Sequence, residues 1–167
     1  MIDSFVTWLA TTLGSFFSKE MTVFIISLFP ILELRGGILA GYFFGLPIWT
    51  TTLLAVVGNL LPIPFLLMFI EAIFAWCLKH NLLVKFIGGL RRRAQSKSES
   101  VKKYEFWGLC LFVAIPLPGT GAWTGVLVAE ALGMERKRAM LSITLGVLIA
   151  GIVMLMVSYG LLNFIGL

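Results

Sequence analysis

The sequence predicts an all-α integral membrane protein, built as an inverted repeat in which each half is a re-entrant helical hairpin followed by a transmembrane helix. Three observations lead to this fold class. Hydrophobic residues occupy 59% of the 167 positions, which is more than a soluble domain of this size can bury. The long apolar stretches are broken by Pro and Gly where a spanning helix would continue. All basic residues except Lys19 and Arg35 lie from Lys79 to Arg138.

The N-terminal residues 1–19 predict an amphipathic helix. Phe5 and the apolar residues that follow it at helical spacing form one stripe, and Ser and Thr residues form the other. The stripe is shorter than the ~20 residues that a spanning helix needs. We therefore expect this helix to lie at the membrane interface or to pack against the bundle.

The first repeat unit, residues 20–78, is predicted to hold a re-entrant hairpin at 21–46 and a transmembrane helix at 48–78. In the hairpin, "MTVFIISLFPIL" and "GGILAGYFFGL" flank the charged tripeptide "ELR". Each flank is about a dozen residues, or about 18 Å of helix, which is roughly half of the ~30 Å hydrocarbon thickness. In the helix that follows, Pro62 and Pro64 predict a kink near Gly58 and Asn59.

A basic loop at 79–104 separates this unit from the second one, residues 105–167. The second unit is predicted to hold a hairpin at 106–133, broken at "PLPGTG", and a transmembrane helix at 139–160. Proline and glycine positions of the two units coincide at a spacing of 88 residues, which favours an internal repeat. The coinciding positions are Pro30 with Pro118, Gly37 with Gly125, Gly45 with Gly133, and Gly58 with Gly146.

Charge placement distinguishes two topologies. If every apolar stretch crosses the membrane, the clusters "RRRAQSKSESVKK" and "ERKR" lie on opposite sides, against the positive-inside tendency. If 21–46 and 106–133 instead turn back at mid-membrane, both clusters lie in the cytoplasm and the helix-breaking residues become hairpin tips. The second topology is favoured. One crossing then separates the two hairpins, so the repeats have opposite orientations, as in many transporters.

The tip of the second hairpin predicts an anion site. Pro118 ends the first helix, and Thr120 is the expected N-cap of the return helix. Gly119 and Gly121 lack side chains that would block a ligand. The free N–H groups and the positive dipole end of the return helix would then point to mid-membrane, so these four residues are predicted to bind substrate.

The tip of the first hairpin predicts a matching site that carries charge. Gly36 and Gly37 are expected to open its return helix, and Arg35 adds a positive charge that suits an anionic headgroup. Glu33 is expected to take up and release a proton, since ionisable residues inside a membrane are costly and usually functional. The structural alternative is that Glu33 and Arg35 only pair with each other.

Three further residues complete the predicted site. Glu130 is a second candidate for proton coupling, and a hydrated carboxylate at the interface is the alternative. Asn59 and Trp123 are predicted to line the substrate cavity, although an Asn in helix packing or an ordinary packed Trp would explain them equally well.

The motifs of soluble enzyme chemistry are missing from the sequence: it has no P-loop, dinucleotide fingerprint, zinc-ligand spacing or Ser-His-Asp set. We therefore expect no enzymatic activity, no cofactor and no metal. The net charge of +5 comes from clusters that report topology rather than a nucleic-acid surface. The expected partners are membrane lipids and not nucleic acid.

Two stretches, "FPILELRGGILAGYFFGLP" (29–47) and "AIPLPGTGAWTGVLVAEALGM" (114–134), resemble the small multi-drug export proteins of bacteria and archaea. These are considered distant relatives of the DedA/VTT superfamily of re-entrant-hairpin membrane proteins. The resemblance covers most of residues 20–160. The name of the family implies drug efflux. The DedA relatives imply movement of lipids across the bilayer, including undecaprenyl phosphate recycling. By position, Glu33 and Arg35 correspond to the embedded acids and arginines of those relatives, and Arg136 and Arg138 to the arginines after their second hairpin.

Three functions therefore remain open at this point. The first is a flippase for an anionic amphipathic lipid, such as the polyprenyl phosphate undecaprenyl phosphate, coupled to protons. The second is a proton-coupled small multidrug exporter, and the third is a non-transporting scaffold or stress protein of the membrane. In each case we expect a multi-pass protein of the plasma membrane with a cytoplasmic basic loop. The chain is small for enclosing a pathway and a homodimer would enlarge it, but no sequence feature fixes the oligomeric state.

Overall fold

The computed structural model describes residues 17–80, 99–117 and 119–161, and all regular structure in these ranges is helical. The all-α prediction is thus confirmed for this part of the chain. Residues 1–16, which carry most of the predicted amphipathic helix, lie outside the described residues, as do 81–98 of the basic loop and Pro118. The helices are α1 (Lys19–Leu28), α2 (Glu33–Phe43), α3 (Ile48–Leu60), α4 (Ile63–Lys79), α5 (Glu99–Ala114), α6 (Ala122–Ala131) and α7 (Arg136–Leu155), followed by a π-helical turn (Met156–Leu161).

Prolines set the ends of several helices. Phe29 has an extended backbone, with φ −76° and ψ 138°, because the residue before a proline is disfavoured in the helical region. At Pro62 the cause is different: the preceding Leu61 stays helical, with φ −54° and ψ −45°, and α3 ends there because Pro62 has no N–H to continue the helical bonds. The predicted spanning helix 48–78 is therefore two helices, and the break falls at Leu61 and Pro62, slightly beyond the predicted kink at Gly58 and Asn59.

The described residues fall into two compact units: one comprises those up to Pro62 together with those from Val147 onward, and the other comprises those from Ile63 to Gly146. In the first unit, α1 and α2 form an antiparallel hairpin, and α3 packs against both of them. Ser27 of α1 lies between two glycines, since a Cβ at Gly37 would collide with its hydroxyl and a Cβ at Gly58 would lie 3.1 Å from its own Cβ. Small residues therefore allow the three helices to approach closely.

The π-helical turn packs against α2, α3 and the loop between them through Tyr159. The Tyr159 hydroxyl lies 3.2 Å from the carbonyl oxygen of Leu46 and 3.1 Å from the Thr51 hydroxyl. Its ring contacts the edge of Tyr42, with centroids 5.2 Å apart. Thr51 in turn fills the space that a side chain at Gly41 would need. These contacts hold the π-helical turn against the loop between α2 and α3.

The second unit contains the hairpin of α5 and α6, and α6 also packs against α4. Val113 of α5 occupies the position between two glycines: a Cβ at Gly125 would lie 2.8 Å from its Cγ2, and one at Gly146 would lie 2.7 Å from its Cβ. The Ser142 hydroxyl of α7 donates a hydrogen bond of 2.6 Å to the Phe106 carbonyl of α5. Helix α7 is thus fixed along α5 by close backbone contact.

Within the part of the chain that the structure describes, two stretches are long and apolar enough to cross a membrane, Ile48–Trp76 and Arg136–Gly160. The hairpin helices α1, α2 and α6 have only 10, 11 and 10 residues, or about 15 Å of helix, which is half of a bilayer core. Large apolar side chains are exposed along the outside, including Phe65, Phe69 and Trp76 on α4. Such a surface suits lipid rather than water.

Candidate functional site

The tip of the first hairpin is built around Glu33. It is the first residue of α2, it is 5% exposed, and its φ is +50°. Among the described residues, it is the only non-glycine with a positive φ, a conformation that costs about 1–3 kcal/mol and persists only where the surrounding structure enforces it. A buried carboxylate on strained backbone at a hairpin tip is the most unusual group in the described chain. Sequence reasoning selected Glu33 for its charge and missed this conformation.

Arg35 lies two residues further along α2 and is half-buried. Its guanidinium is close enough to the Glu33 carboxylate for an electrostatic interaction, as expected of residues two positions apart. Helix α2 starts at the N-cap Leu32, which provides no side-chain hydrogen bond to the first turn. The positive end of a helix and a guanidinium therefore lie at one hairpin tip, beside one carboxylate.

Gly36 and Gly37 do not open the return helix, and this prediction is wrong. Helix α2 begins at Glu33, and the Gly36 amide already donates to the Leu32 carbonyl at 2.9 Å. A Cβ at Gly36 would lie 2.7 Å from the Leu32 Cβ, and one at Gly37 would collide with the Ser27 hydroxyl. The physical reason for both glycines is close packing of α2 against the chain before it.

Asn59 is in the same unit, one residue before the end of α3. It is 2% exposed, and its Oδ1 makes no hydrogen bond with any residue that the structure describes. Its neighbour Gly58 packs against the backbone of α1, because a Cβ there would lie 2.7 Å from the Phe24 carbonyl oxygen. Asn59 thus has a buried polar group next in sequence to the residue that forms the seam between α3 and α1.

The tip of the second hairpin is closed by Thr120. Its hydroxyl lies 2.7 Å from the Ile115 carbonyl oxygen and 2.8 Å from that of Leu117, and it accepts from the Leu117 amide at 3.3 Å. Thr120 is therefore not the N-cap of α6, because its hydroxyl is used within the tip. The N-cap is Gly121, with φ +139°, and Gly119 has φ +85°. Only glycine adopts these two conformations without strain.

The remaining predicted residues of the second unit are on α6. Trp123 is half-buried in its first turn, with an indole nitrogen shielded from solvent. Glu130 is half-buried near the end of the helix, seven residues later and thus about 10 Å along the axis. Glu130 therefore does not join the tip residues, while Pro118 is outside the described part of the chain.

One ion pair was not anticipated from the sequence. Arg136, the first residue of α7, lies 2.9 Å from the carboxylate of Glu71 on α4, and both side chains are more than half exposed. A charge within the apolar helix α4 is the signal that could have suggested a partner. Arg136 belongs to the basic cluster at the N-terminal end of α7. The pair therefore gives the Glu71 carboxylate a positive charge close by.

The family model described as "Putative small multi-drug export protein" matches residues 33–153. The match begins at Glu33 and includes both hairpin tips. No curated protein and no solved structure matches the chain. The match, the apolar spanning helices and the apolar exterior together identify a helical membrane protein. The chain belongs to the small multi-drug export protein family.

Proposed function

We propose that this protein transports an amphipathic molecule across the membrane and that the substrate's anionic headgroup binds at the tip of the first hairpin. The observation that carries this proposal is the pair of Glu33 and Arg35, since Glu33 is 5% exposed on a strained backbone. Ionisable residues at membrane depth mark substrate or ion pathways. The favoured substrate is a lipid phosphate, such as the polyprenyl phosphate undecaprenyl phosphate.

The chemistry of the tip supports an anionic headgroup. Arg35 can bind phosphate oxygens through parallel N–H groups. Neither α2 nor α6 receives a side-chain hydrogen bond from its N-cap, and the N-terminal end of each helix has a partial positive charge that favours an anion. Of the residues predicted to bind it, Arg35 carries the positive charge.

Glu33 gives the transporter a means of coupling to protons. When a phosphate binds Arg35, the guanidinium changes partner, and Glu33 can then take up a proton in place of its ionic contact. When the phosphate leaves, the proton is released and the pair forms again. Glu130, on α6, is a second proton carrier in this proposal.

The proposed architecture is an inverted repeat of two re-entrant hairpins with their following helices. Its support is a shared contact pattern: in each unit a residue of the hairpin's first helix, Ser27 or Val113, is enclosed by two glycines. The glycine pairs are Gly37 with Gly58 and Gly125 with Gly146, at the spacing of 88 residues seen in the sequence. Opposite orientation follows from the single crossing between the hairpins, with the basic loop in the cytoplasm of a plasma-membrane protein.

Flux in proteoliposomes with an imposed pH gradient tests the transport proposal. We expect wild-type protein to move a short-chain polyprenyl phosphate, Arg35→Ala to abolish its binding and flux, and Glu33→Gln to retain binding but lose the dependence on the gradient. Lys137→Ala, which removes an exposed charge from the first turn of α7, is the control and should transport normally. Normal lipid binding and flux by Arg35→Ala would refute the proposal.

A second candidate is a proton-coupled exporter of cationic drugs, which the family match favours. In that case Glu33 is the exchange carboxylate, because a buried acid can bind either a proton or a cationic drug. The same proteoliposomes with a lipophilic cationic dye distinguish the two functions. Drug exchange requires Glu33 and tolerates Arg35→Ala, whereas a membrane scaffold tolerates both substitutions and gives no flux of either substrate.

Cysteine labelling tests the proposed topology. Single cysteines at Gln95→Cys and Lys137→Cys, in a background without Cys77 and Cys110, report the two basic clusters on either side of the second hairpin. A membrane-impermeant thiol reagent should reach both positions from the same, cytoplasmic side. Labelling from opposite sides would exclude the re-entrant second hairpin.

A further inference from the structure

The Asn59 side chain presents a buried acceptor without a protein partner. The residue is 2% exposed, and no described residue donates to its Oδ1. Buried side-chain oxygens nearly always have a hydrogen-bond partner or bind an ordered water or ion. An amide oxygen in this position, within the span Ile48–Trp76, is therefore a candidate ligand for a small bound species.

The backbone around Asn59 supplies further acceptors. Pro62 and Pro64 have no N–H group, so the carbonyls of Gly58 and Leu60 cannot receive the usual helical bond from the residue four positions later. Helix α3 has no basic residue in its last turn, so no side chain of that turn neutralises these carbonyls. The end of α3 thus combines three oxygen acceptors with its negative dipole end.

This helix end is in close contact with α1. Gly58 lies against α1, where an added Cβ would be 2.7 Å from the Phe24 carbonyl oxygen. Ser27, which is fully buried, lies in the same seam and donates its hydroxyl proton to the Val23 carbonyl at 2.8 Å. The Ser27 hydroxyl proton is thus already used, and the oxygens at the end of α3 are acceptors, which suit a cation rather than an anion.

We propose that the end of α3 is a binding site for a dehydrated monovalent cation, Na⁺, with the Asn59 amide oxygen and the carbonyls of Gly58 and Leu60 as its ligands. Neutral oxygens and broken helix ends are the groups with which membrane transporters coordinate Na⁺. Among the described residues, no three His, Cys, Asp or Glu come together to hold a metal ion, so a divalent cation is not favoured. This site goes beyond the proton coupling proposed above and does not depend on it.

Thermal unfolding of the detergent-solubilised protein tests the site without any transport measurement. The protein is titrated with NaCl, KCl or choline chloride at constant ionic strength, and binding of radioactive sodium ion is measured in parallel. A ligand that binds only the folded state raises Tm with its concentration, so we expect a rise with NaCl that choline chloride does not give. Equal Tm values in NaCl and choline chloride, as expected if only water occupies the site, would overturn the proposal.

Two substitutions at Asn59 have opposite expected effects. Asn59→Leu keeps the approximate volume but removes the oxygen, so it should raise Tm in choline chloride while weakening sodium binding at least about tenfold. Asn59→Asp keeps an oxygen ligand and should bind sodium at least as tightly as wild type. Sodium binding that is unchanged in Asn59→Leu would refute the assignment of the ligand.

Ser158→Ala is the matched control for removing a buried polar atom. Ser158 is also fully buried, with an Oγ that has no hydrogen-bond partner among the described residues. Its neighbour Tyr159 contacts Thr51, which is eight residues and thus about 12 Å along α3 from Asn59. This variant should retain the full sodium-dependent rise in Tm, and loss of that rise would show that the effect is not specific to Asn59.

Discussion

The close approach of α3 to α1 predicts that Gly58→Ala destabilises the protein. The added Cβ would lie 2.7 Å from the Phe24 carbonyl oxygen, whereas ordinary contacts begin at 3.4 Å, so the helices must separate by about 0.7 Å (3.4 minus 2.7). The contact is with backbone, which cannot turn away as a flexible side chain can. Overpacking of this kind costs about 1–3 kcal/mol, and the better helix propensity of Ala offsets about 1 kcal/mol of it.

Gly108→Ala is the matched control, because it makes the same chemical change at a helical position with nothing within 4 Å of the added Cβ. Only the propensity gain applies there, so this variant should be stabilised by up to about 1 kcal/mol. The two variants should therefore differ by about 1–3 kcal/mol, which corresponds to about 2–12 °C in Tm for a chain of this size.

The assay is thermal unfolding in detergent, followed by circular dichroism, for both variants and for Gly146→Ala. A Cβ at Gly146 would lie 2.7 Å from the Cys110 carbonyl oxygen, the same distance as at Gly58, so the two glycine variants should lose similar stability. If Gly58→Ala gained as much stability as Gly108→Ala, the reasoning from close backbone contact would be refuted. Loss of stability in only one of the two glycine variants would contradict the proposed repeat.

Three other contacts give predictions of smaller size. Thr120→Val removes a hydroxyl with three hydrogen-bond contacts within the second tip and should cost about 1–2 kcal/mol of stability. Thr120→Ser keeps the hydroxyl and should have most of the wild-type Tm. Equal Tm values for the two variants would contradict the role of the hydroxyl. Tyr159→Phe removes the bonds to Leu46 and Thr51 and should cost about 0.5–1 kcal/mol, with an unchanged Tm as the opposing result. Glu71→Gln breaks an ion pair whose side chains are 63% and 53% exposed, so it should change stability by less than about 1 kcal/mol at low salt and by less still at high salt.

The positions of the helix breaks could be predicted from the sequence because their causes are local. Proline lacks an N–H and restricts the residue before it, so "FPIL" and "PLPGTG" had to interrupt any helix that contained them. The half lengths of α1, α2 and α6 then followed from counting residues, whereas α5 is longer, with 16 residues. Hydropathy predicted only the apolar part of α5. The helix begins at Glu99, inside the predicted basic loop, because polar residues such as those of "ESVKKYE" also form helix.

The roles of the tip residues could not be predicted, because tertiary contacts decide them. The hydroxyl of a threonine after Pro-Gly can cap the next helix or donate to a carbonyl earlier in the chain. In Thr120 it lies within hydrogen-bond distance of the Ile115 and Leu117 carbonyls. Gly36 and Gly37 could equally have opened a helix or packed against one. No sequence pattern indicates that a glutamate will take a positive φ, and glycine would be the expected residue in the position that Glu33 occupies.

A comparison of the two units distinguishes the contacts that serve packing from the groups proposed to bind substrate. The glycine contacts that hold Ser27 and Val113 are alike in both units, so they account for packing and cannot by themselves explain a ligand. The tip of the second unit is shaped by glycine and the Thr120 hydroxyl, whereas the first tip has a carboxylate and a guanidinium instead. Because glycine would relieve the backbone at Glu33 at no steric cost, a glutamate there adds strain and a buried charge together. That combination is why we propose the first tip as the site of the substrate headgroup and the proton.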